Sequence, residues 1–289
     1  MFYLVLTILL NVVISVIFKL FPKYQINTLQ AIVVNYVVCV ITGSLFLGQV
    51  PYTTEIIHRS WVPFSLLMGV GFISVFNLIA YCTKIDGITT TTIANKLSLV
   101  IPVLFSFFLY HEHAGAAKII GILIAFPAVY FTSRVHNDDN KPQNLFWPSL
   151  LFIGGGLLDT LMNYVQSHHL NTNQDQALYT IFCFSMAGAI GIALLTILVA
   201  LKKVVLLPRN IIAGICIGIP NYFSIYFFIK ALHSNFLQSS ATIPVLNIGI
   251  LVMSAITAIV LFREKANSMR ILGLLMSILA IYLIAAGDK

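Results

Sequence analysis

Two charged residues sit where a charge is expensive. Lys96 lies eight residues after Ile88 inside a long apolar run, and Asp159 lies nine residues before His168 inside another. At 1.5 Å per helical residue, each is about 12–13 Å from the nearer end of its helix. A charge at the centre of a membrane helix costs about 2.5–3.5 kcal/mol on insertion scales. A buried carboxylate such as Asp159 takes up and releases a proton or holds a cation. A buried ammonium such as Lys96 anchors a carboxylate or a phosphate. The same two residues also fit a structural ion pair between helices, although stability alone rarely justifies one.

Further polar residues accompany them. Asp159, Asn163 and Gln166 are spaced four and three residues apart, which puts them on one helix face. Asn11, Asn77, Asn95, Asn221 and Asn247 also fall at membrane depth, where a lipid-facing amide would leave its donors and acceptors unmet. Each is expected to point inward, as a substrate contact or as an interhelical hydrogen bond. Tyr81 and Tyr222 complete the set of candidate substrate contacts, with Asp159 the candidate for proton coupling. Gly154, Gly155 and Gly156 precede the polar face and fit either close helix packing or a hinge. Pro102, Pro127, Pro220 and Pro244 lie within apolar runs and should kink them.

Other chemistries find no support. There is no Ser-His-Asp set, no pair of catalytic carboxylates and no glycine-rich phosphate loop. His111-Glu112-His113 is a turn sequence and not HExxH. Cys39, Cys82, Cys183 and Cys216 show no CxxC spacing, so neither a disulfide nor a metal is expected, and no cofactor.

The elements that must position these residues are membrane helices. The 289-residue chain is 59% hydrophobic and 9% charged, against about 25% charged in ordinary soluble domains. Ten apolar runs are legible at about 3–21, 28–48, 63–83, 88–110, 115–133, 146–168, 176–201, 209–231, 236–262 and 269–286. The first reads MFYLVLTILL, with no basic n-region or small-residue cleavage site, and is taken as a retained span. The net charge of +7 is spread over helix ends and gives no reason to expect nucleic acid.

The chain also repeats itself. Glu112, Lys118, Gly121 and Tyr130 recur with identical spacing as Glu264, Arg270, Gly273 and Tyr282, and upstream Asn95 matches Asn247. The basic member of each copy is expected near the headgroups. The polar stretch SRVHNDDNKPQN separates two halves. This predicts a first five-helix repeat at 1–135, a linker at 136–145 and a second repeat at 146–289. An odd number of spans per copy forces opposite topology on the two copies, the plan of secondary transporters with a midplane cavity. The fold expectation is therefore an all-α membrane protein of ten helices, built as two inverted five-helix repeats around a central cavity.

The stretches NKLSLVIPVLFSFFLYHE (95–112) and LNIGILVMSAITAIVLFRE (246–264), each ending in a Glu-bearing turn before a Gly-containing span, resemble the EamA-type transporters of the drug/metabolite transporter superfamily. The resemblance covers essentially the whole chain. It implies a cavity lined by helices 1, 3, 4, 6, 8 and 9. It implies movement of a small polar metabolite, amino acid-like or anionic, by alternating access, as efflux coupled to protons or as exchange. It further implies a multi-pass protein of a bacterial cytoplasmic membrane, monomeric or homodimeric, and not an enzyme. The family places both termini in the cytoplasm. Here the turns after odd-numbered spans hold Lys19, Lys23, Lys84, Arg134, Lys141, Lys202, Lys203, Arg209, Arg263, Lys265 and Arg270, which by charge bias puts both termini outside. The two orientations stay open. So do two other classes, an intramembrane enzyme and a non-transporting membrane subunit.

Overall fold

The computed structural model describes residues 1–48, 51–85, 87–110, 115–133, 146–234, 236–263 and 268–287. Among these the regular structure is helical, without strands. The helices are α1 (Phe2–Leu20), α2 (Thr28–Leu47), the one-turn α3 (Thr54–Ile57), α4 (Val62–Ile85), α5 (Gly87–Leu97) and α6 (Val100–Tyr110). They continue with α7 (Ala116–Ser133), α8 (Phe146–His169), α9 (Asn173–Ala200), α10 (Pro208–His233), α11 (Ser239–Phe262) and α12 (Ser268–Ala286). A chain this apolar has little alternative, because a helix pairs its backbone groups within one segment and needs no water to do it. Polar side chains mark the ends. Asn27 accepts the Gln30 N–H at the start of α2, and Thr172 accepts the Asp175 N–H at the start of α9. Gly48 closes α2 at φ 70, a conformation that a Cβ disfavours.

Eight candidate spans are long and apolar enough to cross a membrane: α1, α2, α4, α5 with α6, α9, α10, α11 and α12. The apolar part of α7, Ala116–Thr132, is shorter. Helix α8 has the length, with 24 residues, but its second half carries Asp159, Asn163, Gln166, His168 and His169. The fourth expected span, 88–110, is two helices, interrupted at Ser98–Leu99.

The chain forms two compact units, each drawing on both halves of the sequence. One comprises Ser74–Asn163 and Ser234–Lys289 together with Met1; the other comprises Phe2–Ile73 and Tyr164–His233.

In the first unit α7 packs along α12. A Cβ added to Gly121, near the start of α7, would meet Ile284 at 2.8 Å and the Ala280 carbonyl at 3.0 Å, near the end of α12. A Cβ on Gly273, near the start of α12, would collide with Thr132 at the end of α7. The two helices therefore run antiparallel, and the glycine of each sequence copy meets the far end of the other copy's helix. Lys118 and Arg270 were expected near the headgroups. Both are buried against neighbouring protein, Lys118 fully so. The Lys118 ammonium donates to Gln238 Oε1 at 2.8 Å and lies 5.8 Å from the Phe107 ring centre, so the helix contact has folded it inward. Glu112 and Glu264, their companions in the repeated pattern, lie outside the described residues.

The second unit has a comparable pair. Helices α2 and α9 pack together, with Gly43 of α2 against Ile181, Tyr36 against Phe184 and Val33 against Gly191. The rising residue numbers on one helix meet falling numbers on the other, so this pair is antiparallel as well. Helix α10 lies along α2 on another side, bringing Gly214 to Val34 and Gly218 to Val38. Helix α1 packs on α10, where Tyr3 stacks on Phe227 at 5.9 Å.

Candidate functional site

The first unit gathers charge and amide groups around the interruption between α5 and α6. Pro102 accounts for the position of the break. A proline ring clashes with the carbonyl four residues before it, here that of Ser98, and its missing N–H is tolerated only in a helix's first turn. Starting a new helix at Val100 meets both demands. The Ser98 carbonyl accepts instead from the Ile101 N–H at 3.0 Å, and the Ser98 hydroxyl donates to the Asn95 carbonyl at 2.6 Å. Helix α8 closes on this point. A Cβ on Gly155 would stand 3.1 Å from Ser98 Oγ and 3.3 Å from Asn95 Oδ1; one on Gly156 would stand 2.6 Å from Ile101 and 2.7 Å from the Ser98 carbonyl. The close-packing reading of these glycines therefore has direct contacts behind it.

Lys96 is in the last turn of α5, just before the break. Its ammonium donates to Asn247 Oδ1 of α11 at 3.4 Å. Asp159 of α8 lies close enough for its charge to act on Lys96 and for its carboxyl to feel the Asn247 side chain. Asn247 also donates to the Ile243 carbonyl at 3.2 Å, which ties its amide to its own helix. Lys96, Asp159, Asn95 and Asn247 are all half-buried. An ammonium carries three donors, and Asn247 takes one of them at long range. The arrangement is thus a cation, an anion and an amide near both, beside an interrupted backbone. One turn further along α8, buried Asn163 donates to Ser106 Oγ at 3.5 Å, and Ser106 meets Ser239 at 3.1 Å.

The remaining sequence candidates are placed as follows. In the first unit Asn77 and Tyr81, four residues apart on α4, are exposed, and Tyr81 packs edge-on against Trp147 at 4.8 Å. The inward orientation expected for each in-span asparagine thus does not extend to Asn77. In the second unit Asn11 donates to the Thr7 carbonyl of its own helix at 2.8 Å. Asn221 donates to Asn35 Oδ1 at 3.1 Å, an interhelical bond between α10 and α2. Tyr222 is fully buried, and its ring stacks on Tyr226 at 6.1 Å. Gln166 and His233 pair at 3.2 Å.

Several polar contacts escaped the sequence reading. Asn35 carries the same signal as the other in-span asparagines and was discoverable on that ground. Trp61 Nε1 donates to Asp175 Oδ1 at 3.1 Å, and Arg59 stands 3.7 Å from the same carboxylate oxygen. Gln30 binds the Val205 carbonyl at 2.7 Å and accepts from Asn210 at 2.6 Å. These pairs are separated by more than a hundred residues, and nothing local in the sequence announces them.

Fold and hydropathy together define an all-helical, multi-pass membrane protein. No family model matches the chain. It is 29% identical over 296 residues to an uncharacterized protein of Haemophilus influenzae, covering 99% of this chain and 98% of that one. A solved crystal structure superposes with a TM-score of 0.74 at 13% identity, covering 100% of this chain and 95% of the other, which shows a shared fold.

Proposed function

We propose that this protein is a secondary active transporter of the EamA type within the drug/metabolite transporter superfamily, with ten spans in two inverted five-helix repeats. The observation that carries the reading is the Lys96–Asn247–Asp159 cluster beside the α5–α6 break. Interrupted helices that carry polar groups at membrane depth are a recurrent way of building transport sites, because freed backbone and charged side chains there need a wet cavity or a ligand. The antiparallel packing of the sequence-equivalent helices α7 and α12 supports the inverted repeat.

In this reading Lys96 anchors the anionic group of a small polar metabolite, and Asn95 and Asn247 orient it. Asp159 carries the coupling proton. Substrate arrival draws Lys96 away from Asp159, which favours protonation of the carboxylate, so that loading and proton uptake are linked. The protein works in a bacterial cytoplasmic membrane as an exporter or exchanger. Catalysis plays no part, and neither does a metal or cofactor.

The test is untargeted mass spectrometry of medium and cell extract from cells making the unmodified protein, Lys96→Ala, Asp159→Asn, or neither. A metabolite enriched in the medium only with the unmodified protein supports export and identifies the solute. Transport at the unmodified rate by both variants, at equal expression, removes the cluster from the mechanism.

A further inference from the structure

One end of the second unit is strongly basic. Lys19 and Lys23 flank the end of α1, Lys202 and Lys203 follow α9, and Arg209 opens α10. All five are exposed. The hydrogen bonds of this end hold the segments together. Asn27 N–H donates to Asn210 Oδ1 at 3.0 Å, Gln30 Nε2 donates to the Val205 carbonyl at 2.7 Å, and Asn210 Nδ2 donates to Gln30 Oε1 at 2.6 Å. The α1–α2 turn and the α9–α10 turn are thereby tied to one surface.

The acidic residues of this unit stand elsewhere. The two acidic residues of the unit, Glu55 and Asp175, belong to α3 and the first turn of α9. Asp175 and Lys202 are 27 residues apart, about 40 Å along a helix. Asp175 is engaged there by Trp61 and Arg59.

An apolar groove runs directly beneath the basic turn. Ile192, Leu195, Thr196 and Val199 share one face of α9, and Leu206 of the following turn closes it, around a volume of ≈ 290 Å³. The Thr196 hydroxyl donates to the Ile192 carbonyl of its own helix at 2.8 Å, so the face offers no free polar group there. Leu201, Val205 and Leu206 of the same turn are exposed beside Lys202 and Lys203.

We infer that this end binds an anionic phospholipid, its phosphodiester held by Lys202, Lys203 and Arg209 and one acyl chain laid in the Ile192–Leu206 groove. Two features select this occupant. The exposed cations Lys202, Lys203 and Arg209 attract an anion, and the apolar groove leading away from them toward the middle of α9 suits a hydrocarbon tail on the same molecule. A free phosphate satisfies only the first. Clustered Lys and Arg at the end of membrane helices attract anionic headgroups with about 1 kcal/mol per charge. The inference is independent of the transport reading.

The test uses the full chain purified in detergent micelles doped with dioleoylphosphatidylglycerol or dioleoylphosphatidylcholine, with bound lipid counted by native mass spectrometry and unfolding followed by heat. Retention of phosphatidylglycerol over phosphatidylcholine is expected, and inorganic phosphate should not displace it. Lys202→Gln/Lys203→Gln/Arg209→Gln should lower phosphatidylglycerol affinity roughly a hundredfold. Its unfolding temperature in phosphatidylcholine should stay put. Thr196→Trp, which fills the groove and leaves every cation in place, should also release the lipid. Equal retention of both lipids by the unmodified protein overturns the inference. So does full displacement by inorganic phosphate, or unchanged phosphatidylglycerol binding in the groove-filled variant.

Discussion

Residues 87–110 and 239–262 hold the same place in the repeated pattern, with Asn95 matched to Asn247. The first stretch is two helices and the second is one. Both contain a proline, so proline alone does not explain the difference. Pro244 is the sixth residue of α11, and the carbonyl it crowds, that of Ser240, belongs to the helix's first turn. Pro102 comes eleven residues after Thr91, and the carbonyl it crowds is Ser98, deep in the span. A proline near a helix start is absorbed, whereas one in the interior interrupts the hydrogen-bond ladder. Charge diverges in the same place: Lys96 stands where the second copy has Ile248. The difference teaches that matched stretches of sequence need not fold alike: of these two, the first holds both the break and the half-buried Lys96.

The strongest way to break this comparison is to remove the charge. Lys96→Ala and Asp159→Asn should each cut transport by roughly a hundredfold or more, the range lost when a group positioning a reactant is removed. Each should also cost about 1–3 kcal/mol of stability, a value reduced for partial exposure from that of a fully buried pair. The double variant should be more stable than either single one, as read by thermal unfolding. Placing a lysine at Ile248 in the other copy should not restore transport to Lys96→Ala.

Packing tests follow. Gly121→Leu or Gly273→Leu drives a side chain into backbone atoms of the partner helix, and a loss of about 2–3 kcal/mol is expected in denaturant unfolding. Equal losses for the two would mean that both ends of the α7–α12 contact are equally tight. Gly156→Ala should cost about 1–2 kcal/mol and slow transport, because its new methyl meets Ile101 and the Ser98 carbonyl. The smallest effect expected is that of Pro102→Ala. It changes stability by less than about 1 kcal/mol, since the proline already stands in a first turn. Hydrogen exchange at Leu99–Val103 should slow as the ladder closes, and unchanged exchange would assign the break to the contact with α8 instead.

Much of this was legible beforehand. The two half-buried charges, most of the in-span asparagines and the polar face of α8 are composition and spacing, and spacing survives folding. The interruption was not legible as a break, because Pro102 predicts only a kink and neither Ser98 nor Leu99 is a residue that ends helices. The burial of Lys118 was not legible for a related reason. Distance from a helix end says how far a side chain must reach for headgroups, but not whether a neighbouring helix has already covered it. Among the described residues eight spans meet the length and apolarity a membrane crossing needs, against ten apolar runs in the sequence, because α8 trades hydropathy for its polar face and α7 is short.

The reciprocal glycine contact of α7 with α12 is isologous in form: the same patch, met by its own counterpart, as in a twofold dimer. Two separate identical chains joined this way would have to carry every residue twice. A lysine facing the axis would meet a second lysine, and an aspartate a second aspartate. A single polypeptide holding both copies is free of that constraint. It can keep the mirrored contact for assembly while carrying Lys96 where the second copy has Ile248, and Asp159 where the first copy has Thr7. One chain can hold an asymmetric pair that a twofold dimer of identical chains would have to double.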